Sequence, residues 1–183
     1  LTVTDTNTNS ALGVDTVSGV ETLRFDDGDL TVTTAAGGEV TLTGSDVADD
    51  ITVVGSVAAT LEGTGGNDAI TGGSGADDIT GGAGADTLEG GAGDDTIEGG
   101  ADADTVVFGG DKGDFTFALA TDGTLTVTDT NTNTALGVDT VSGVETLRFD
   151  DGDLTVTIAA GGEVTLTGSD LNDEITLVGS VAA

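Results

Sequence analysis

The sequence predicts an all-β fold: stacked coils of short parallel strands, a β-solenoid, joined to β-hairpin and sandwich-like segments. Three observations predict it. From Gly63 to Val107 the chain divides into five consecutive units of nine: GTGGNDAIT, GGSGADDIT, GGAGADTLE, GGAGDDTIE and GGADADTVV. Outside that run, apolar and polar residues alternate in short stretches bounded by Gly, Asp and Asn, the pattern of half-buried strands. Finally, residues 1–59 recur at 125–183, 124 positions on, with six differences (Ser10/Thr134, Thr34/Ile158, Val47/Leu171, Ala48/Asn172, Asp50/Glu174, Val53/Leu177). Repetition at two scales belongs to units that stack on their neighbours and build length.

The nonapeptide follows G-G-x-G-x-D-x-U-x, with U a large aliphatic. The three middle units match at every fixed position, while Thr64 and Asp102 replace a glycine in the first and last. The aspartates are Asp68, Asp77, Asp86, Asp95 and Asp104; the aliphatics are Ile70, Ile79, Leu88, Ile97 and Val106. Glycine lets each turn curl tightly and bring backbone close to backbone. Each Asp adds a carboxylate at the same point of its turn. The chain has no His and no Cys, and an oxygen-only donor set suits a hard cation with six to eight ligands at about 2.3–2.6 Å, which means Ca2+. The aliphatic marks a short strand whose side chain points inward, and stacking strands about 4.8 Å apart turns these side chains into a ladder. A flexible acidic linker has no need of an aliphatic every ninth residue.

These units closely resemble the RTX, or hemolysin-type calcium-binding, nonapeptide repeats. The resemblance implies a right-handed parallel β-roll with two nonapeptides per coil and calcium held between turns n and n+2. It places Asp68, Asp86 and Asp104 along one edge and Asp77 and Asp95 along the other, with about three sandwiched sites at 68/86, 86/104 and 77/95. It also implies ligation by turn carbonyls, here from Gly72, Gly73, Gly75, Gly81, Gly82, Gly84, Gly90, Gly91, Gly93, Gly99 and Gly100. The departures at Thr64 and Asp102 fall on the end sites.

In chain order, residues 1–43 read as a β-rich joining segment. Leu1–Thr4 alternates, Asp5 to Ser10 is turn chemistry, and short strands follow around Val17, Leu23 and Leu30. Residues 44–110 form the predicted roll. Gly44, Asp49 and Ile51 fall on the nonapeptide frame as a degenerate coil, so Asp49 is a weaker candidate ligand, and Asp173 is its counterpart in the second copy. Residues 53–61 read as a coil without Asp, and 63–107 as the clean run. Residues 111–167 bring a β-hairpin, Phe115 to Leu119 against Leu125 to Thr128 around a two-residue Asp122-Gly123 turn, and then the second joining segment. Residues 168–183 begin another roll. The run Asp139 to Gly152, repeated as Asp15 to Gly28, resembles the β segment that often follows nonapeptides in RTX proteins. By the same alignment Leu1–Thr4 is a return strand, which predicts completion by preceding sequence or a neighbouring subunit.

Other acidic groups have two readings each. Asp26, Asp27 and Asp29, with Asp150, Asp151 and Asp153, form a turn that holds either a peripheral calcium or solvated charge. Asp129, Asn131 and Asn133 (and Asp5, Asn7, Asn9) open like an EF-type loop but lack its glycine and closing glutamate, which favours an Asx-turn. Lys112 lies between Asp111 and Asp114 as local charge balance. The phenylalanines, at 25, 108, 115, 117 and 149, cover the open end of the ladder.

The net charge is −31, from 34 acidic and 3 basic residues. Self-repulsion of this size opposes a compact state, and without cations the roll is expected to be loose or unfolded. Nucleic acid and membrane insertion are excluded as partners: there is no basic patch and no apolar run of about 20 residues. Calcium-bridged contact with acidic surfaces or glycans stays open. Without His or Cys no nucleophile–base pair can be assembled, and the chain is expected not to be an enzyme. The functional expectation is a calcium-stabilised structural repeat of a secreted, extracellular protein at a bacterial cell surface: an adhesin, a surface layer or an extracellular filament, partnered by neighbouring repeats or copies of itself. The alternatives are a secretion or folding module of an RTX enzyme, and a filament subunit completed by strand exchange.

Overall fold

The computed structural model describes residues 2–4, 14–16, 22–24, 29–34, 40–120, 122–132, 135–158 and 164–168. Their regular elements are all strands but one. In order these are β1 (Thr2–Thr4), β2 (Val14–Thr16), β3 (Thr22–Arg24), β4 (Asp29–Thr34), β5 (Val40–Thr43), β6 (Asp50–Thr52), β7 (Ala59–Gly65), β8 (Ala69–Gly73) and β9 (Asp78–Ala83). Then come β10 (Thr87–Gly91), β11 (Thr96–Ala101), β12 (Thr105–Val107), β13 (Phe115–Leu119), β14 (Leu125–Asp129), β15 (Val138–Ser142), β16 (Thr146–Phe149), β17 (Gly152–Ile158) and β18 (Val164–Gly168). One turn of 3-10 helix at Lys112–Asp114 precedes β13.

The period of nine sends successive strands to opposite sides. Strands β5, β7, β9 and β11 stack in parallel in one sheet, and β6, β8, β10 and β12 in the other. Two nonapeptides therefore make one coil: Ile70 lies beside Leu88 and Leu88 beside Val106. The aliphatic position of each unit points between the sheets. Leu42, Leu61, Ile79, Ile97 and Val141 form one ladder and Ile51, Ile70, Leu88, Val106 and Leu147 the other, none more than 5% exposed. Burying each such side chain contributes about 1.5–3 kcal/mol, which makes these ladders the apolar core of the roll.

At its start the frame slips by one residue. Leu42 pairs with Leu61 and Ile51 with Ile70, one residue more than the spacing further on. Val54, 91% exposed, is the extra residue: Val53 N–H donates to the Thr71 carbonyl as Gly44 N–H does to Glu62, and Gly55 has φ 119°, matching Gly73 and Gly82 at 115°. The coil without Asp therefore occupies 53–62 rather than 53–61, and Ala59 stands where the other units carry Asp.

Beyond β12 the solenoid gains one more coil built from different sequence. The hairpin β13–β14 forms as expected, although Ala120 N–H bonds the Thr124 carbonyl, so three residues rather than two make its turn. Strand β14 pairs antiparallel with β15, and β15 lies parallel on β11. The chain crosses at Gly143–Glu145, and β16 lies parallel on β12. Strands β17 and β18 then extend that sheet as an antiparallel meander. Four phenylalanines cover the apolar end: Phe108, Phe115 and Phe149 have ring centroids 5.1–5.6 Å apart, and Phe117 meets Phe149 edge-on at 6.0 Å. Phe25 lies outside the described residues. Lys112 has a partner far along the chain. It is 9% exposed, and its Nζ reaches Asp151 Oδ1 at 3.4 Å and the Asp151 carbonyl at 3.1 Å.

The first joining segment repeats these pairings. In β3–β4–β5 Thr22 faces Thr31 and Thr31 faces Thr43; in β16–β17–β18 the equivalent Thr146 faces Thr155 and Thr155 faces Thr167. Likewise β1 pairs with β2 as β14 does with β15, so one edge of Thr2–Thr4 is taken within the chain.

Candidate metal centre

The turns bring the five predicted aspartates into two columns. Asp68, Asp77, Asp86, Asp95 and Asp104 are at most 3% exposed, and Oδ1 of each accepts a backbone N–H from the preceding coil. In one column Asp49 N–H donates to Asp68, Asp68 to Asp86 and Asp86 to Asp104, at 2.8–2.9 Å. In the other, Ala59 N–H donates to Asp77 and Asp77 to Asp95, at 2.7–2.8 Å. Oδ1 thus does structural work, fixing each carboxylate against the coil beneath it.

The second oxygen is different. Oδ2 of all five is buried and has no hydrogen-bond partner. It faces the bare α-carbon of the first glycine in its own unit, for Asp68, Asp77, Asp86 and Asp104 beside a carbonyl of the next coil. A Cβ at Gly72 would lie 2.5 Å from Asp77 Oδ2 and 2.6 Å from the Gly90 carbonyl. At Gly81 it would lie 2.6 Å from the Gly99 carbonyl and against Asp86 Oδ2; at Gly63, 2.5 Å from the Gly81 carbonyl and against Asp68 Oδ2. Each recess therefore gathers acceptors with no donor. An unpaired buried carboxylate oxygen costs several kcal/mol unless something positive meets it. Burial accordingly raises the pKa of all five, with neighbouring carboxylates adding to it for Asp68, Asp86, Asp95 and Asp104; Asp95 and Asp104 rise to about 6.

The donor set fits calcium. Among the described residues no three acidic side chains gather at one point, so a cation between coils would take one or two carboxylates and complete its shell with turn carbonyls. Not every predicted carbonyl is free for this: that of Gly73 already accepts Ala92 N–H at 2.8 Å.

The columns run further than the nonapeptides. Asp95 N–H donates to Asp139 Oδ1 at 2.9 Å, and Asp104 N–H to Glu145 Oε2 at 2.8 Å. Asp139 is 3% exposed, and burial, with help from Asp95, lifts its pKa to about 7. Sequence reasoning passed over both residues. The signal was there: Asp139-Thr-Val141 and Glu145-Thr-Leu147 keep the carboxylate two places before the aliphatic, as in Asp86-Thr-Leu88.

The other acidic candidates differ from these five. Asp49 Oδ2 accepts Ser45 N–H at 2.7 Å and its hydroxyl at 3.1 Å. Asp150 accepts Gly110 N–H, Asp151 is held by Lys112, and Asp153 sits 3.4 Å from Arg148. Asp129 accepts Asn131 and Leu136 N–H, closing an Asx-turn. Asp26, Asp27 and Asp173 lie outside the described residues, and Asp29 is known only as the start of β4.

Thr64 and Asp102 keep the backbone conformation of the glycines they replace, each at φ 80°. Such a conformation costs a non-glycine residue about 1–3 kcal/mol, and Asp102 also adds like charge beside Asp86 and Asp104. Asp102→Gly is therefore expected to raise the urea midpoint of the roll, by about 1 kcal/mol. An unchanged or lower midpoint would refute the strain account.

Fold and site together define a β-solenoid whose turns are lined with carboxylates aimed between coils. Residues 55–88 and 80–113 match the RTX calcium-binding nonapeptide repeat. No curated protein matches the chain. The RTX repeat is a calcium-binding structural motif and is not catalytic by itself. No helix among the described residues is long and apolar enough to cross a membrane.

Proposed function

We propose that this chain is a non-enzymatic, calcium-stabilised structural repeat of a secreted bacterial surface protein or extracellular fibre, folding and stiffening when it meets extracellular calcium. The observation that carries the reading is the two columns of buried Oδ2 atoms without donors. Calcium between coils supplies the positive charge those oxygens lack and offsets part of the −31 charge. The protein's share is to fix Oδ1 through the coil beneath, to hold Oδ2 beside turn carbonyls, and to exclude side chains by placing glycine opposite. Calcium in this proposal sits at 68/86, 86/104 and 77/95, between neighbours in each column. In calcium-poor cytoplasm the chain stays unfolded and exportable; outside, at the roughly 10⁻⁴–10⁻³ M calcium typical of extracellular modules, it folds, so that binding energy becomes folding energy. The tandem 124-residue period suits an extended array better than an accessory module of an enzyme.

The test is circular dichroism during calcium titration, with EDTA reversal and a magnesium control, alongside calorimetric stoichiometry. The expected result is β signal that appears with calcium and is lost with EDTA. A β signal indifferent to EDTA sinks the folding switch.

A further inference from the structure

The two joining meanders share one register, and their described strands differ only at Thr34/Ile158, but they sit on opposite ends of a roll. Strands β16–β17–β18 follow the roll, with β16 parallel on its last strand β12. Strands β3–β4–β5 precede it, with β5 parallel on β7. Strand β18 repeats β5 residue for residue over Val164–Gly168 and Val40–Gly44, and pairs with β17 as β5 pairs with β4. Among the described residues β18 ends the seven-stranded sheet and β3 ends the nine-stranded sheet. Each edge thus lacks the neighbour that its counterpart has.

We infer that in the tandem array a single meander does both jobs at once: it receives the preceding roll through β16 and the following roll through β18. The occupant of the β18 edge is the copy of β7 in the next roll, in the register Val40↔Ala59 to Thr43↔Glu62. A strand edge with unpaired N–H and C=O groups is a template for such an addition. The β7 of a second molecule is a poor occupant, because both its edges are already taken by β5 and β9. One continuous sheet then runs β6-β8-β10-β12-β16-β17-β18 and on into the β7-β9-β11 side of the next roll. The sheet carrying one side of a roll carries the opposite side of its successor, while the other sheet stops at the hairpin strand β13. Successive rolls are spliced by backbone hydrogen bonds in overlapping sheets, not strung on linkers. This rests on the calcium-folded repeat proposed above.

The test is a longer chain, with residues 60–183 added again after Ala183, which takes the place of Ala59. Amide hydrogen exchange is measured in calcium on this chain and on the 183-residue chain. In β5, Gly44 N–H donates to the Glu62 carbonyl at 2.8 Å and Val40 N–H to Ala58 at 3.5 Å; the equivalents are Gly168 and Val164. Their amides should exchange on the order of 100-fold more slowly in the longer chain. Unchanged exchange at 164–168 with both rolls folded overturns the inference, and so does an added roll that stays unfolded beside a folded first one. Failure of the calcium reading has its own signature: amides in β8 and β10 that ignore calcium.

Discussion

Gly81→Ala is expected to destabilise the roll by about 3 kcal/mol or more, enough to stop it closing at moderate calcium. On the unfolded chain alone the change is mildly favourable, since alanine has less backbone freedom to lose, worth about 0.4–1 kcal/mol. Contact decides the sign. The added methyl would stand 2.6 Å from the Gly99 carbonyl and 3.0 Å from Asp86 Cγ, with Asp86 Oδ2 nearer still. None of these can yield cheaply. Gly99 belongs to β11, paired with β9 below and β15 above, and Asp86 is fixed through Oδ1 by Asp68 N–H. Gly109→Ala and Gly113→Ala are the controls, because a Cβ there meets nothing within 4 Å; both should stay within about 0.5 kcal/mol of the parent. Urea midpoints in saturating calcium measure all three. A Gly81→Ala variant as stable as the controls would mean that the coils can part at that point and that the recess is not rigid.

The same close approach explains what was legible in the sequence. Where glycine, aspartate and aliphatic recur together, period, strand, column and ladder can all be read, because each residue type is demanded by one contact. Legibility fails where one of the three markers is missing. Residues 53–62 carry no aspartate at the ligand position, so nothing in the sequence shows that this unit holds an extra residue; pairing of Leu42 with Leu61 shows it, and the exposure of Val54 locates it. The last coil keeps carboxylate and aliphatic at Asp139/Val141 and Glu145/Leu147 but loses the paired glycines, since its turns come from the hairpin loop and from Gly143. Its place in the columns depends on contacts reaching from Asp95 to Asp139 and from Asp104 to Glu145, which no local pattern encodes. The ion pair of Lys112 with Asp151 is hidden for the same reason. The phenylalanines were legible as a cover because nothing else in the chain is large enough to close the ladder's open end.

Asp86→Asn should reverse sign between EDTA and calcium, and that reversal separates a metal ligand from a structural carboxylate. Asp86 stands in the middle of its column, between Asp68 and Asp104. The amide keeps an oxygen for Asp68 N–H and places an NH2 group where Oδ2 meets the Gly99 carbonyl recess. Without calcium the variant removes a buried charge and gives the carbonyl a donor, so the metal-free roll should gain about 1–2 kcal/mol. With calcium it loses a ligand from both 68/86 and 86/104, and should bind fewer ions and end less stable than the parent. Acid should imitate the first effect. Asp95 and Asp104 titrate at about 6 and Asp139 at about 7 in the folded chain, against 3.8 for a free aspartate. The folded state therefore holds more protons than the unfolded one between about pH 4 and 7, and metal-free stability rises as pH falls through that window, levelling off below it. The Asp86 pKa is raised as well, so the variant should show a shallower rise. The β signal in EDTA, followed from pH 7 to 4, and urea melts at pH 7 in calcium measure the two effects. Equal destabilisation with and without calcium would show that Asp86 serves packing alone.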